Sequence, residues 1–209
     1  MFSLRKMAAI AAFAALAAPV SALAASGSMM SSGHMMPNVT NQPSRFSGPG
    51  VYTGAPALQV TLSMVIAGGG PGNFNTVTLL KDLTGDKFNA EVGKLTNQYG
   101  KDKVGNFLKV FDFVVSDTLK IVNQKHIALP KTPAPDPHNG AALAAALWGA
   151  GQTGTGFNVE VMLDRAVSHP IHVQVMKDVD AKYGIAADAD YHAILNTAMH
   201  DLASVYKLK

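Results

Sequence analysis

The stretch that decides the fold is KDKVGNFLKVFDFVVSDTLKIVNQKH, residues 101–126. Its apolar residues recur in steps of three and four, which is the spacing of one face of an α-helix. They are Val104, Phe107, Leu108, Phe111, Val114, Val115 and Val122, with Thr118 in the same series. At 1.5 Å per residue this helix would be about 39 Å long. The pattern predicts a long central helix with one face in the core.

Shorter helical segments lie on both sides of the central helix. They are predicted at residues 75–83, 86–99, 141–150, 157–168, 170–183 and 188–206. Gly85, Gly100 and Gly184 stand where helix C-terminal caps belong. Residues 57–67 fit either a strand or a helix, and helix is favoured because the rest of the chain offers few strand partners. The fold prediction is all-α: a single irregular or orthogonal bundle of about six to eight helices.

The helical domain is predicted to span residues 57–209 and to contain one long crossover. Residues 129–139 carry four prolines, a spacing that excludes a helix there. We expect an extended surface segment between two helical halves. The domain is about 150 residues long, which is enough for a proper hydrophobic core.

The first 24 residues have the features of a secretory signal peptide. Two basic residues precede an apolar stretch at residues 8–20, and small residues follow it, so we expect cleavage before Ala25. A signal this rich in small residues is typical of bacteria, and we expect a periplasmic or secreted protein. Residues 25–56, rich in Ser, Gly, Pro and Met, are expected to form a flexible leader.

Composition excludes several classes of function. Without cysteine, the chain forms neither disulfides nor thiolate metal sites. Cleavage of the signal removes two of the 17 basic residues, and the remaining 15 face 14 acidic ones. This near-neutral balance, with no basic patch, gives nucleic-acid binding no support. Beyond the signal, no apolar stretch approaches the roughly 20 residues of a membrane span, so we do not expect an integral membrane protein.

The leader contains a cluster of sulfur and imidazole side chains. Met29, Met30, His34, Met35 and Met36 lie within eight residues. Thioether and imidazole together suit Cu(I), and these five residues are candidate Cu(I) ligands. The alternative is a linker in which methionine is incidental, because the spacing shows no regular repeat.

A second candidate site lies in the C-terminal half. His172 falls on the apolar face of its predicted helix, with Met176 one turn later and His169 just before the helix. His169, His172 and Met176 could ligate a metal ion or a haem iron, which gives the hypothesis of a globin-like protein that binds haem b. The alternative is a buried neutral His172 with Met176 as a core filler. No Cys-x-x-Cys-His motif and no globin sequence pattern is present.

No residue is identified as catalytic. His192 and His200 lie off the apolar stripe of the last helix and are expected on a solvated face, as are Glu160 and Asp164. No serine has the context of a nucleophile. The functional prediction is an exported, non-enzymatic helical protein that binds a protein partner or a small ligand. Cu(I) handling and haem b binding are the two alternatives.

Overall fold

The computed structural model describes residues 55–209, with side chains from Leu58 onward. The predicted signal peptide lies outside the described residues, as does nearly all of the predicted leader. Both stay predictions. The first helix of the described residues begins at Ala55, two residues before the predicted start of the domain.

Eight α-helices make up most of the described region. They are α1 Ala55–Ala67, α2 Thr76–Thr84, α3 Phe88–Tyr99, α4 Lys101–Gln124, α5 Gly140–Gly151, α6 Val159–Val167, α7 His169–Tyr183 and α8 Ile185–Tyr206. A 3₁₀ turn, Gly85–Lys87, joins α2 to α3. A short antiparallel hairpin of β1 Gln152–Thr153 and β2 Gly156–Phe157 joins α5 to α6. The prediction of an all-α bundle is confirmed, and the ambiguous residues 57–67 are helical.

The long helix α4 is central to the core, as its sequence pattern predicts. Its buried face includes every predicted position except Leu108, which is half-buried. The face packs mainly against α7 and α8. Phe107 stacks on Tyr191 of α8 with ring centroids 5.9 Å apart, and Phe111 meets the same ring edge-on at 6.0 Å. Aromatic pairs at these distances add stability beyond the area that they bury.

One carboxylate lies on the buried side of α4. Asp117 is 3% exposed, and Lys120 contacts its Oδ1 at 3.2 Å. Burial raises the pKa of Asp117 and the nearby Asp178 raises it further, while Lys120 opposes the shift. Ionised Asp117 is therefore a destabilising feature of the core.

Short connections bring α6, α7 and α8 together. A single residue, Ser168, separates α6 from α7, and Gly184 separates α7 from α8. Gly184 has a φ of 86°, a left-handed conformation that glycine adopts without steric cost, and its N–H bonds the carbonyl of Asp180. The three helices contact one another in pairs. Side chains on their facing flanks are thus brought close together.

The hairpin before α6 is not predicted by the sequence. Phe157, which the periodicity assigns to the next helix, instead ends β2 and stacks on Trp148 of α5 with ring centroids 4.4 Å apart. The helix begins only after Asn158, whose side chain accepts a hydrogen bond from Val161 N–H. This aromatic contact and this cap fix where α6 starts.

Two further features bear on the predicted organisation. Residues 129–139 contain neither helix nor strand, and Ser63 of α1 donates a hydrogen bond to the Pro135 carbonyl in this segment.

Among the helices that the structure describes, none combines the length and the apolar character needed to cross a bilayer.

Candidate metal centre

Three side chains from three different helices converge at the junction of α6, α7 and α8. Glu160 lies in the first turn of α6, His172 in α7 and His192 in α8. Each offers one ligand atom, and the three atoms lie within 4.8 Å of one another. We call these residues the Glu–His–His cluster.

The distances within the cluster suit ligands of one ion. His192 Nε2 lies 3.0 Å from Glu160 Oε1, and His172 Nε2 lies 3.9 Å from Glu160 Oε2. Protein ligands of Zn²⁺ lie about 2.0–2.2 Å from the ion, which at tetrahedral angles places neighbouring ligand atoms about 3.3–3.6 Å apart. The two separations lie about 0.3 Å to either side of this range, and the Glu160 side chain is partly exposed.

The other ring nitrogen of each histidine is held by an acidic residue. His172 Nδ1 lies 2.6 Å from Asp164 Oδ1. His192 Nδ1 lies 3.0 Å from the backbone carbonyl of Asp188 and 2.9 Å from its Oδ1. An acceptor at Nδ1 fixes the ring orientation and leaves the Nε2 lone pair for a metal, the usual arrangement of metal-binding histidines.

Both Nε2 atoms lack a hydrogen bond. Between residues 58 and 209, six buried side-chain nitrogen or oxygen atoms have no hydrogen-bond partner, and four lie in or beside this cluster. They are His172 Nε2, His192 Nε2, Asp188 Oδ1 and the Tyr191 hydroxyl oxygen. Two of the four have close ionic contacts, Asp188 Oδ1 with His192 Nδ1 at 2.9 Å and His192 Nε2 with Glu160 Oε1 at 3.0 Å. Buried polar atoms are nearly always hydrogen-bonded, so poorly aligned contacts gathered here indicate a place that can receive a charged group.

The electrostatics of the cluster favour a cation. Burial by itself lowers the pKa of His192, but Asp188 and Glu160 outweigh it and raise the pKa to about 10. Burial also opposes ionisation of Asp164, yet His172 and His169 hold the pKa of that carboxyl below its usual range. Carboxylates therefore lie beside His192 and stabilise positive charge there, whether a proton or a metal ion carries it.

Exposure decreases from the acidic to the imidazole side of the cluster. The Glu160 side chain is 29% exposed, His192 14% and His172 5%. An ion held here would have protein on the imidazole side and solvent on the Glu160 side. Zn²⁺ with three protein ligands keeps a fourth position for water, whose pKa the metal lowers to about 7.

The turn between α6 and α7 is conformationally strained. Ser168 has a φ of 83°, and its carbonyl accepts the N–H groups of Ile171 and His172. A non-glycine residue at positive φ is held there only by its surroundings. Here the turn lets His169 Nδ1 approach Asp164 Oδ2 at 2.9 Å, so that Asp164 contacts two histidines.

The predicted C-terminal site is only partly brought together. His172 is buried and belongs to the Glu–His–His cluster, whereas His169 is exposed and contacts Asp164 outside it. Met176 is half-buried and packs against the core. Met29, Met30, His34, Met35 and Met36 lie outside the described residues. The Cu(I) and haem b hypotheses stay predictions.

The expectation that His192 faces solvent is wrong, because its side chain is only 14% exposed. Glu160 and Asp164 keep 29% and 24% of their side chains exposed, as partly solvated residues. All three turn towards the α6–α7–α8 junction, where neighbouring helices cover flanks that are exposed on a single helical wheel. The spacing of Asp188 and His192, one turn apart on α8, is the signal that could have found part of the site. His200 is exposed, as expected, and contacts Trp148 edge-on.

Comparison with protein-family models, with curated proteins and with solved structures finds no match for this chain.

Proposed function

We propose that this is an exported protein that binds a divalent first-row transition metal ion, Zn²⁺ being the best fit, through Glu160, His172 and His192. Asp164 and Asp188 orient the two imidazoles. Water fills the remaining coordination position on the exposed side. The proposal is one of metal binding and assigns no reaction.

One observation carries the proposal. The two imidazoles are fixed through Nδ1, and both Nε2 atoms lie near the Glu160 carboxylate, at 3.0 Å for His192 and 3.9 Å for His172, without an aligned hydrogen bond. A network of ion pairs alone would align each N–H with a carboxylate oxygen, because charge-assisted hydrogen bonds gain most from that alignment. Three ligand atoms from three helices, all within 4.8 Å of one another, are what a bound ion requires.

The donor set favours Zn²⁺ over other common ions. Ca²⁺ and Mg²⁺ prefer oxygen ligands only, and Cu(I) prefers sulfur, which none of the three residues offers. Two imidazoles and one carboxylate form a known set for Zn²⁺, and also for Fe(II) in non-haem sites. Zn²⁺ is the better first probe because it needs no control of redox state.

A metal titration tests the proposal. Protein stripped with a chelator is titrated with Zn²⁺ against a chromophoric competitor, and we expect one ion per chain. His172→Gln and His192→Gln should each weaken binding strongly, whereas His200→Gln, at an exposed histidine off the site, should not. Unchanged affinity in the Glu160→Gln/His172→Gln/His192→Gln triple variant would contradict the proposal.

Two controls separate this site from the predicted leader and test export. Deletion of residues 26–37 should leave zinc binding intact, because the Glu–His–His cluster lies far along the chain. If the deletion removes zinc binding, the leader and not the cluster is the site. If the protein is exported, mass spectrometry of periplasmic material should show a chain that starts at Ala25. Protein recovered from the cytosol with Met1 intact would contradict export.

A further inference from the structure

The core contains a cavity of about 40 Å³ between α1, α2, α4, α5, α6 and α8. One water molecule needs roughly 10–15 Å³ measured in this way, so the cavity has the room of about three waters, which occupy about 90 Å³ of liquid. Close-packed cores seldom leave a space of this size. The atoms around an empty space lose the dispersion contacts that a filled core would give them.

The wall of the cavity is almost wholly apolar. The two threonine hydroxyls among its lining residues are already engaged, because Thr61 Oγ1 donates to the Ala166 carbonyl at 2.6 Å and Thr118 Oγ1 donates to the Val114 carbonyl at 2.7 Å. Tyr191 also lines the cavity, but its hydroxyl lies by the carboxylates of the α6–α7–α8 junction. A buried water typically makes about three hydrogen bonds, and this wall does not supply them.

Methionine is concentrated around the cavity. Four methionines lie between residues 58 and 209, and three of them, Met64, Met162 and Met199, are buried and line the cavity. The fourth, Met176, is half-buried and packs against the core elsewhere. Methionine is unbranched and polarisable, and it is common on surfaces that accept apolar partners of varied shape. The wall of the cavity can therefore adjust to the shape of an occupant.

These features select the chemical class of the occupant. We propose that the cavity binds a small uncharged hydrocarbon of about five carbon atoms that carries no hydrogen-bonding group. Apolar cavities in protein cores stay dry and take up apolar molecules such as benzene or xenon. Such an occupant restores the dispersion contacts of the wall and leaves no polar group without a partner. The binding site is separate from the proposed metal centre and does not require the metal.

Two ring compounds of nearly equal size test the apolar character of the cavity. Cyclopentane has no hydrogen-bonding group, and tetrahydrofuran replaces one of its CH₂ groups by an acceptor oxygen. In NMR spectra of the methionine methyl groups, cyclopentane should cause saturable shifts at Met64, Met162 and Met199 and none at Met176. Tetrahydrofuran should bind about 10- to 100-fold more weakly, because its oxygen leaves water and finds no donor in the cavity.

A substitution that fills the cavity provides the matched variant. Ala166→Leu at a lining position of α6 should abolish cyclopentane binding, whereas Ala145→Leu, the same substitution at an exposed site on α5, should not. If Ala166→Leu does not fold, Val115→Leu adds a smaller group from α4 and should weaken cyclopentane binding. Zinc affinity measured on the same samples reports the metal centre separately.

Three results would overturn the inference. The first is wild-type protein that shows no saturable shift with cyclopentane at the three lining methionines. The second is tetrahydrofuran that binds as tightly as cyclopentane, since the cavity would then offer a hydrogen-bond donor. The third is wild-type affinity for cyclopentane in a folded variant whose cavity has been filled.

Discussion

Zinc binding should displace a proton from His192, so affinity should rise with pH. The carboxylates of Asp188 and Glu160 raise the pKa of His192 to about 10. At pH 7 the imidazolium then exceeds the neutral ring by about 1000 to 1, and zinc requires the neutral ring. The apparent association constant should be about 1000-fold below its limiting value, and it should rise about tenfold per pH unit between pH 7 and pH 9.

Calorimetry at pH 7 measures the proton directly. The apparent enthalpy of zinc binding in two buffers with different ionisation enthalpies should give about one proton released per ion. Asp188→Asn removes one of the charges that raise the pKa of His192, so it should reduce the pH dependence. Asp190→Asn is the control, because that carboxylate is on the same helix but contacts Lys103 at 2.7 Å.

Constant zinc affinity from pH 7 to pH 9, with no proton released, would refute this reasoning. It would mean that zinc leaves the His192 imidazolium undisturbed and binds elsewhere. A steep pH dependence that survives in His192→Gln would also contradict it, since the released proton would then belong to another group.

Three further predictions test the site and the core. Glu160→Gln should weaken zinc binding by about 100-fold or more in the competition titration, because a charged ligand is lost. Glu91→Gln on α3 should leave zinc binding unchanged, and equal losses of affinity in the two variants would contradict the site. Gly140→Ala should lower the melting temperature in calorimetry, because the added Cβ would overlap a backbone carbonyl of α2. Gly105→Ala in α4 should raise the melting temperature, because there is open space around this position and alanine favours helix. A higher melting temperature for Gly140→Ala than for Gly105→Ala would contradict the packing of α5 against α2. Asp117→Asn should gain more unfolding free energy at pH 7 than at pH 4 in urea titrations. Because burial raises the pKa of Asp117, the wild type loses stability as this carboxyl ionises with rising pH, whereas asparagine does not ionise. An equal gain in unfolding free energy at pH 4 and pH 7 would contradict this explanation.

The sequence by itself determined the helices and their order. The apolar period of residues 101–126 places the buried face of α4 correctly, because a helix repeats every 3.6 residues whatever surrounds it. Gly100 and Gly184 fall at helix ends, where φ values of 85° and 86° need a residue without Cβ. These features depend on near neighbours in the chain, which is why local pattern suffices for them.

Only the tertiary structure decided the site. A helical wheel places His172 on an apolar face, but it assigns His192 and Glu160 to solvent because it contains no second helix. The one-residue connections at Ser168 and Gly184 fold α6, α7 and α8 against each other and cover those flanks. Burial there removes water from the His192 imidazole, and the nearby Asp188 and Glu160 carboxylates stabilise its positive charge. A cluster of candidate ligands spread over three helices is a property of packing, and no spacing along one helix encodes it.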